Sequence, residues 1–296
     1  MQASRTLHVS DARFQKALEK EGTLLFEGAM GTMLFKAGLA GGELPDLCCL
    51  SHPDTVADIH RQYAEAGADI AITNTFGSNA DKLGDKATVA EVFNAATDCA
   101  RKGGAPYVAG DIGPTGQMLE PFGALSEEHA YDLFAEEARS AETAGCDLVL
   151  IETMADLAEA KIAARAALET TELPVFVTMT FDASGHTLMG NTPAQAAEEL
   201  AKLGVQVVGI NCSLGPSAIR PFTADMLEHV SCPVMTQPNA GLPSMVDGRE
   251  VYPLDAETFA QEIAPMLDDG VRIIGSCCGS TPEFTAALRA LLDQRQ

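Results

Sequence analysis

The chain has no tryptophan and only four tyrosines, and aromatic residues make up 5% of its 296 positions. A core short of large rings must be filled by Val, Ile, Leu and Ala, as in proteins built from alternating strands and helices. The same shortage argues against a cage for a quaternary ammonium group, which needs aromatic faces. Cations are scarce too: 19 Lys and Arg stand against 42 Asp and Glu, a formal net charge of −23. Such a chain repels nucleic acid and anionic lipid surfaces, so neither is expected as a partner. No stretch is apolar and long enough to span a bilayer. The first twenty residues, MQASRTLHVSDARFQKALEK, lack the apolar core of a secretory signal and pattern instead as an amphipathic helix. The expectation is a cytoplasmic protein whose eight cysteines are reduced thiols, available for packing or for a metal.

Low-complexity tracts and a Pro/Gly linker are also missing, and the first strand–helix turn lacks the glycine fingerprint of a dinucleotide fold. What recurs is a unit of short aliphatic strand, loop and Ala-rich helix. The strands fall at 23–30, 69–76, 107–113, 147–153, 174–181, 205–212, 232–239 and 271–278. Between them lie helical stretches such as SHPDTVADIHRQYAEAG, SEEHAYDLFAEEARSAETAG and TPAQAAEELAKLG, which start at Ser or Thr and stop at Gly, as capped helices do. This pattern predicts one α/β domain, a (β/α)8 TIM barrel over 23–296, in preference to an open doubly wound sheet. Residues 1–22 are expected to form a helical segment capping it.

In such barrels the chemistry gathers at the C-terminal ends of the strands. Read in order, those ends offer Glu27 to Thr32, then Asn74 and Thr75, Asp111, Glu152 and Thr153, Asn211 and Cys212, Gln237 to Asn239, and Cys277 with Cys278. Three acids, several amides and three thiols thus point to one rim. Three thiolates with one open position would make a catalytic rather than a closed zinc site. The plainer reading, thiols packing as small hydrophobes, suits Cys99, Cys146 and Cys232, and also the vicinal pair Cys48-Cys49, which follows a loop rather than a strand. None of the six histidines lies on a predicted strand end. A zinc hydrolase would want histidine or carboxylate ligands and a base beside its water. An all-sulfur site favours another task, holding a substrate thiol as a nucleophilic thiolate.

The stretches EGAMGT (27–32), AGADIAITNTFGSN (66–79), GDIGPTG (110–116), IETMAD (151–156), MTFDASGHTLMGNTP (179–193), GINCSLGP (209–216), PNAGLP (238–243) and GSCCGSTPE (275–283) occur in order along nearly the whole chain. Together they resemble the zinc-dependent homocysteine S-methyltransferases. That family includes the betaine and S-methylmethionine enzymes and the homocysteine-binding module of cobalamin-dependent methionine synthase; the motifs look closest to the last. The resemblance implies a TIM barrel, Zn2+ on Cys212, Cys277 and Cys278, and homocysteine as methyl acceptor. It implies that Glu152 binds the homocysteine ammonium. Glu27 and the residues after it (Gly28, Ala29, Met30 and Thr32), with Asn74, would hold the amino-acid end. Asn239 falls on the rim nearest the metal and could fill the fourth position until homocysteine displaces it. One position departs from the family pattern: Ser276 stands where a second glycine usually precedes the vicinal cysteines. With an ordinary backbone conformation there Ser is harmless, whereas φ > 0 would cost roughly 1 kcal/mol. Asp111 reads as a loop-ordering residue.

The reaction so implied is S-methylation of homocysteine to methionine by in-line displacement, with Cys212, Cys277, Cys278 and Glu152 as the catalytic set. The expected donor is methylcobalamin on a separate corrinoid protein, as in the homocysteine half of a split methionine synthase. The alternatives are a direct S-methylmethionine or betaine-type enzyme, and a zinc-binding or redox-sensing barrel without transferase activity.

Overall fold

The structure, a computed structural model, describes residues 12–39, 44–246 and 249–295. Its strands are β1 (Leu24–Leu25), β2 (Ile70–Ile72), β3 (Tyr107–Ile112), β4 (Leu148–Met154), β5 (Val175–Met179), β6 (Val207–Asn211), β7 (Val234–Gln237), β8 (Ser244–Val246), β9 (Arg249–Val251) and β10 (Ile273–Ile274). Eight of them form one parallel sheet in the order β1-β10-β7-β6-β5-β4-β3-β2. A parallel bridge between Phe26 and Ile70 joins the two edges, reinforced by Glu27 N–H donating to the Ile70 carbonyl at 2.9 Å. The sheet therefore closes into the TIM barrel that the strand–helix alternation predicts.

Helices α1 (Ala12–Leu18), α2 (Met30–Lys36), α3 (Cys48–Ser51), α4 (Pro53–Glu65), α5 (Ala80–Leu83), α6 (Val89–Gly103), α7 (Glu127–Thr143), α8 (Leu157–Thr170), α9 (Pro193–Leu203), α10 (Pro216–His229), α11 (Ala256–Asp269) and α12 (Pro282–Asp293) connect or cover the strands. The long ones begin where the sequence marks them. Thr88 and Thr192 close capping boxes with Glu91 and Gln195, and Ser126, Asp156 and Asp255 each accept a first-turn N–H. Gly104, Gly204 and Gly270 end α6, α9 and α11 in the left-handed conformation that an L side chain resists. Among the described residues no helix is long and apolar enough to cross a membrane.

Alternation along the strands sorts side chains between lumen and helix layer. Leu24, Phe26, Ile70, Tyr107, Ala109, Leu148, Leu150, Phe176, Val207, Met235 and Ile273 fill the lumen. Their outward neighbours, such as Leu25, Val108, Val149 and Val208, pack under the helices. Phe14 of α1 closes the bottom, with its ring 5.2 Å from Tyr107 and 6.1 Å from Phe176. The expected N-terminal segment 1–22 is thus described from Ala12 onward; residues 1–11 lie outside the described residues.

Apart from β4, which runs to Met154, the strands are shorter than the sequence suggests, because their last residues leave the ladder and turn over the barrel mouth. The antiparallel pair β8–β9, inserted between β7 and α11, is an element the sequence reading did not place.

Candidate metal centre and substrate cleft

Two residues further along β2, β3, β4, β5 and β7, the lumen changes from apolar to polar. Leu150 gives way to Glu152, Ala109 to Asp111, Phe176 to Thr178, Met235 to Gln237, and Ile72 to Asn74. Above this layer opens a cleft of about 450 Å³, walled by Gly28 to Thr32, Asn74, Phe76, Asp111, Glu152, Thr153, Gln237, Ser276 and the three cysteines. A larger cavity of about 820 Å³ lies at the opposite end of the barrel, beside α1. Its Arg13 and Arg295 are salt-bridged to Asp69 and Asp268, and no thiol or carboxamide lines it. The chemistry belongs to the smaller cleft.

Cys212 follows β6 with φ 61°, and Ser213 after it has φ 60°. Non-glycine residues avoid this region, and here the turn aims the sulfur inward. The Cys212 N–H donates to the Gln237 carbonyl at 2.9 Å, and the Cys277 N–H to the Pro238 carbonyl at 2.8 Å, so β7 fixes both ligand-bearing segments. Gly279 then turns away with φ 83°; a Cβ on it would come within 2.2 Å of the Tyr252 ring. The Sγ atoms of Cys212 and Cys278 are 3.9 Å apart, those of Cys277 and Cys278 4.0 Å, and all three lie within 4.8 Å of one another. Sulfurs on one tetrahedral zinc at about 2.3 Å stand about 3.8 Å apart, so the spacing fits that ion. Hydrogen bonds from Cys277 and Cys278 hold Cys212 down at about 3, while donation to it pushes Cys278 up to about 12 and Cys277 well above the usual thiol range.

The other cysteines do different work. Cys48, Cys49 and Cys99 pack in a separate apolar cluster with Leu34, Val56, Ile59 and Tyr63. Cys49 hydrogen-bonds Cys99, which brings Cys99 to about 7 and raises Cys49. Cys146 meets the Thr97 hydroxyl at 3.3 Å and is pushed by burial up to about 11, and Cys232 is half-buried against the main core.

Residues 24–292 match the family described as Homocysteine S-methyltransferase. The chain belongs to that family. Methionine synthase of Mycobacterium leprae (strain TN) is 33% identical over 289 residues, covering 89% of this chain and 24% of its own. That of Mycobacterium tuberculosis (strain ATCC 25618 / H37Rv) is 32% identical over 302 residues, covering 93% and 25%. The chain thus spans about a quarter of the length of these relatives. Among solved structures, the metallated form of the homocysteine methyltransferase MmuM from Escherichia coli superposes with TM-score 0.78 at 22% identity, covering 92% of this chain and 97% of that one. This likeness is one of fold.

Seen as a member of this family, the chain brings most of the predicted site residues together. Cys212, Cys277, Cys278, Glu152, Gly28, Ala29, Met30, Thr32 and Asn74 all border the cleft. Burial, and then the Cys212 charge, push the Glu152 carboxyl up to about 8. Asp111 is buried and pushed well above the carboxylate range, first by burial and then by Glu152, and its Oδ1 has no protein partner. Asn239 lies against Cys212, donating to the sulfur, while its buried Oδ1 has no protein partner. Asn74 borders the cleft but spends its Nδ2 on the Pro45 carbonyl at 2.7 Å. The Thr32 hydroxyl accepts from Gly279 N–H at 3.1 Å. Ser276 is absent from the residues with positive φ, so the departure from glycine there is free of backbone strain. Its buried Oγ faces Gly28, where a Cβ would come within 2.9 Å.

Glu27 is placed differently from the expectation. It follows lumen-facing Phe26, so alternation turns it outward to α4. Its Oε1 accepts from Ile72 N–H at 2.8 Å and its Oε2 pairs with His60 Nδ1 at 3.0 Å. With both oxygens engaged and only 1% exposed, it supports the loop from behind rather than bordering the cleft. The sequence reading gave no role to His60, Tyr63, whose hydroxyl donates to the Ala29 carbonyl at 3.2 Å, or Ser280, whose Oγ accepts from Ala29 N–H at 3.1 Å. His60 and Tyr63 share one face of α4 with Ile59, a helical spacing that marks a buried stripe without naming its partner.

Proposed function

We propose that this barrel binds homocysteine and presents its sulfur for methylation to methionine, with Cys212, Cys277 and Cys278 holding a zinc ion. The observation that carries the reading is three sulfurs at tetrahedral spacing, from two strand ends, beneath a cleft walled by a buried acid. When bound there, zinc supplies a Lewis acid that keeps a substrate thiol ionised at neutral pH. The protein's own groups do the rest. Glu152, ionised by the approach of an ammonium group, fixes the amino-acid end. The first turn of α2, whose N–H groups have no partner within the helix, faces the carboxylate. Buried acceptors without protein partners, Asp111 Oδ1, Gln237 Oε1 and Asn239 Oδ1, suit a polar ligand rather than an apolar one. Such positioning brings the sulfur in line with the methyl group; the sulfur supplies the electron pair of the new bond, the donor keeps that of the broken one without taking up a proton, and no general acid is needed. The cleft accordingly needs no histidine on its wall.

The donor we assign is a methylcorrinoid presented by a corrinoid protein. Two observations support this over a small-cation donor. Phe76 is the only aromatic residue bordering the cleft among those described, so a quaternary ammonium or sulfonium group meets no cage. Exposed apolar side chains lie on the segments that follow the strand ends, Phe76, Phe122, Leu188 and Leu242 on loops after β2, β3, β5 and β7, Phe35 on α2 and Met245 on β8, as on a face that meets a protein. The experiment is methionine formation from homocysteine with a panel of donors. Free methylcobalamin should react slowly and methylcobalamin on a corrinoid protein much faster, while betaine and S-methylmethionine should be poor. Efficient turnover with either of the last two, without corrinoid, would contradict the donor assignment and leave the acceptor assignment standing.

A further inference from the structure

Strand β4 carries one extra residue where it meets β5. Ile151 pairs with Val177, but the next pair is Met154 with Met179, so Glu152 and Thr153 together oppose Thr178. A bulge of this kind re-aims side chains, and here both Glu152 and Thr153 border the cleft. Thr153 has φ 61°. For a β-branched residue that conformation is an outlier, held only when the surroundings over-determine it.

What holds it is Asn211, on β6, one strand beyond. Asn211 Oδ1 accepts from Thr153 N–H at 2.8 Å, and Asn211 Nδ2 donates to Thr153 Oγ1 at 2.7 Å. Thr178 Oγ1, on the strand between, donates to the same Oδ1 at 2.8 Å. Asn211 is 0% exposed and immediately precedes Cys212. One side chain thus clamps the residue after the acid while its own backbone leads into the thiol, across three strands.

We propose that Asn211, acting through Thr153, is the positioning residue that fixes Glu152 relative to Cys212, and so sets the selectivity for a thiol bearing an α-ammonium group. This rests on the reading of Glu152 as the ammonium partner. An asparagine offers a donor and an acceptor on one planar group, which matches the two Thr153 atoms.

The test compares homocysteine with 4-sulfanylbutanoate, the same thiol acid without the ammonium group, by calorimetric titration of the zinc-loaded protein. Zinc content and circular dichroism are measured alongside. Wild type should prefer homocysteine strongly, and Glu152→Gln should lose that preference. Thr153→Ser, which keeps the hydroxyl, should stay within about threefold of wild type. Thr153→Val removes the hydroxyl, and Thr153→Gly removes both the hydroxyl and the need for restraint, so it folds even if Val does not. Both should lower the preference by roughly tenfold or more, with zinc content unchanged and 4-sulfanylbutanoate binding within about threefold. Wild-type preference retained in Thr153→Gly, or equal loss for both ligands, would refute the clamp while Glu152 keeps its role. No preference in wild type, or full preference in Glu152→Gln, would overturn the ammonium reading and the clamp with it.

Discussion

Glu152 sits in a wall that disfavours its charge. Burial and the neighbouring Cys212 push its carboxyl from the ordinary 4.5 up to about 8. The metal-free folded protein therefore holds a proton that the unfolded chain releases above the ordinary carboxylate range. Where the folded state binds more protons, stability falls as pH rises. The loss should run from about pH 4.5 to about 8 and then level off. Denaturant titrations of the metal-free protein and of Glu152→Gln should diverge over that window, with wild type losing roughly 2–4 kcal/mol relative to the variant. A constant difference between the two would mean that the carboxyl is already ionised in the folded state. An acid kept neutral in this way waits for a cation, and an incoming ammonium is the partner that makes its ionisation favourable.

At the level of elements, the barrel strands were legible because their alternation is unusually clean. Lumen residues such as Leu148 and Leu150, and outward ones such as Val149 and Ile151, are all aliphatic, and the lumen-facing run gives way to a polar residue near the end of β3 (Asp111), β4 (Glu152), β5 (Thr178) and β7 (Gln237). The same alternation, carried one residue further, turns Glu27 toward α4, so that placement was readable although the motif resemblance suggested otherwise. The β4 bulge was not readable. Its left-handed residue is Thr153, the residue type least suited to φ > 0, and the Asn211 hydrogen bonds that compensate lie 58 residues away. The β8–β9 hairpin carries a local mark, Asp247-Gly248 between its strands, but three-residue flanks are too short for alternation to show. Helix α1 offers a test at this scale. Phe14 is buried among lumen residues at the end of the barrel away from the cleft. Phe14→Ala should destabilise the fold by roughly 3–5 kcal/mol, read by urea unfolding, and leave homocysteine affinity unchanged in the folded protein. Unaltered stability would show that α1 is not part of the core.

The whole molecule separates stability from chemistry along the barrel axis. An apolar lumen and an aromatic plug occupy one end; buried acids, amides and three thiols occupy the other, where loops can carry strained residues because the strands beneath are fixed. The acidic surface matters little to this division, but it limits partners to those that tolerate a charge of −23. The cysteines show how far the sequence reached. Cys212 and the pair Cys277-Cys278, 65 residues apart along the chain, meet because β6 and β10 both neighbour β7, a consequence of barrel order. Cys48-Cys49, equally vicinal, lies in a helix beneath the surface and meets Cys99 instead.

The central claim is that a homocysteine sulfur joins these three. X-ray absorption at the zinc edge tests it most directly. The zinc-loaded protein should show three sulfurs at about 2.3 Å, rising to four when homocysteine is saturating, and a Cys277→Ser, Cys278→Ser double variant should lose the metal while Cys48→Ser and Cys49→Ser keep it. A zinc shell unchanged by saturating homocysteine, or full zinc retention in the double variant, would contradict the account.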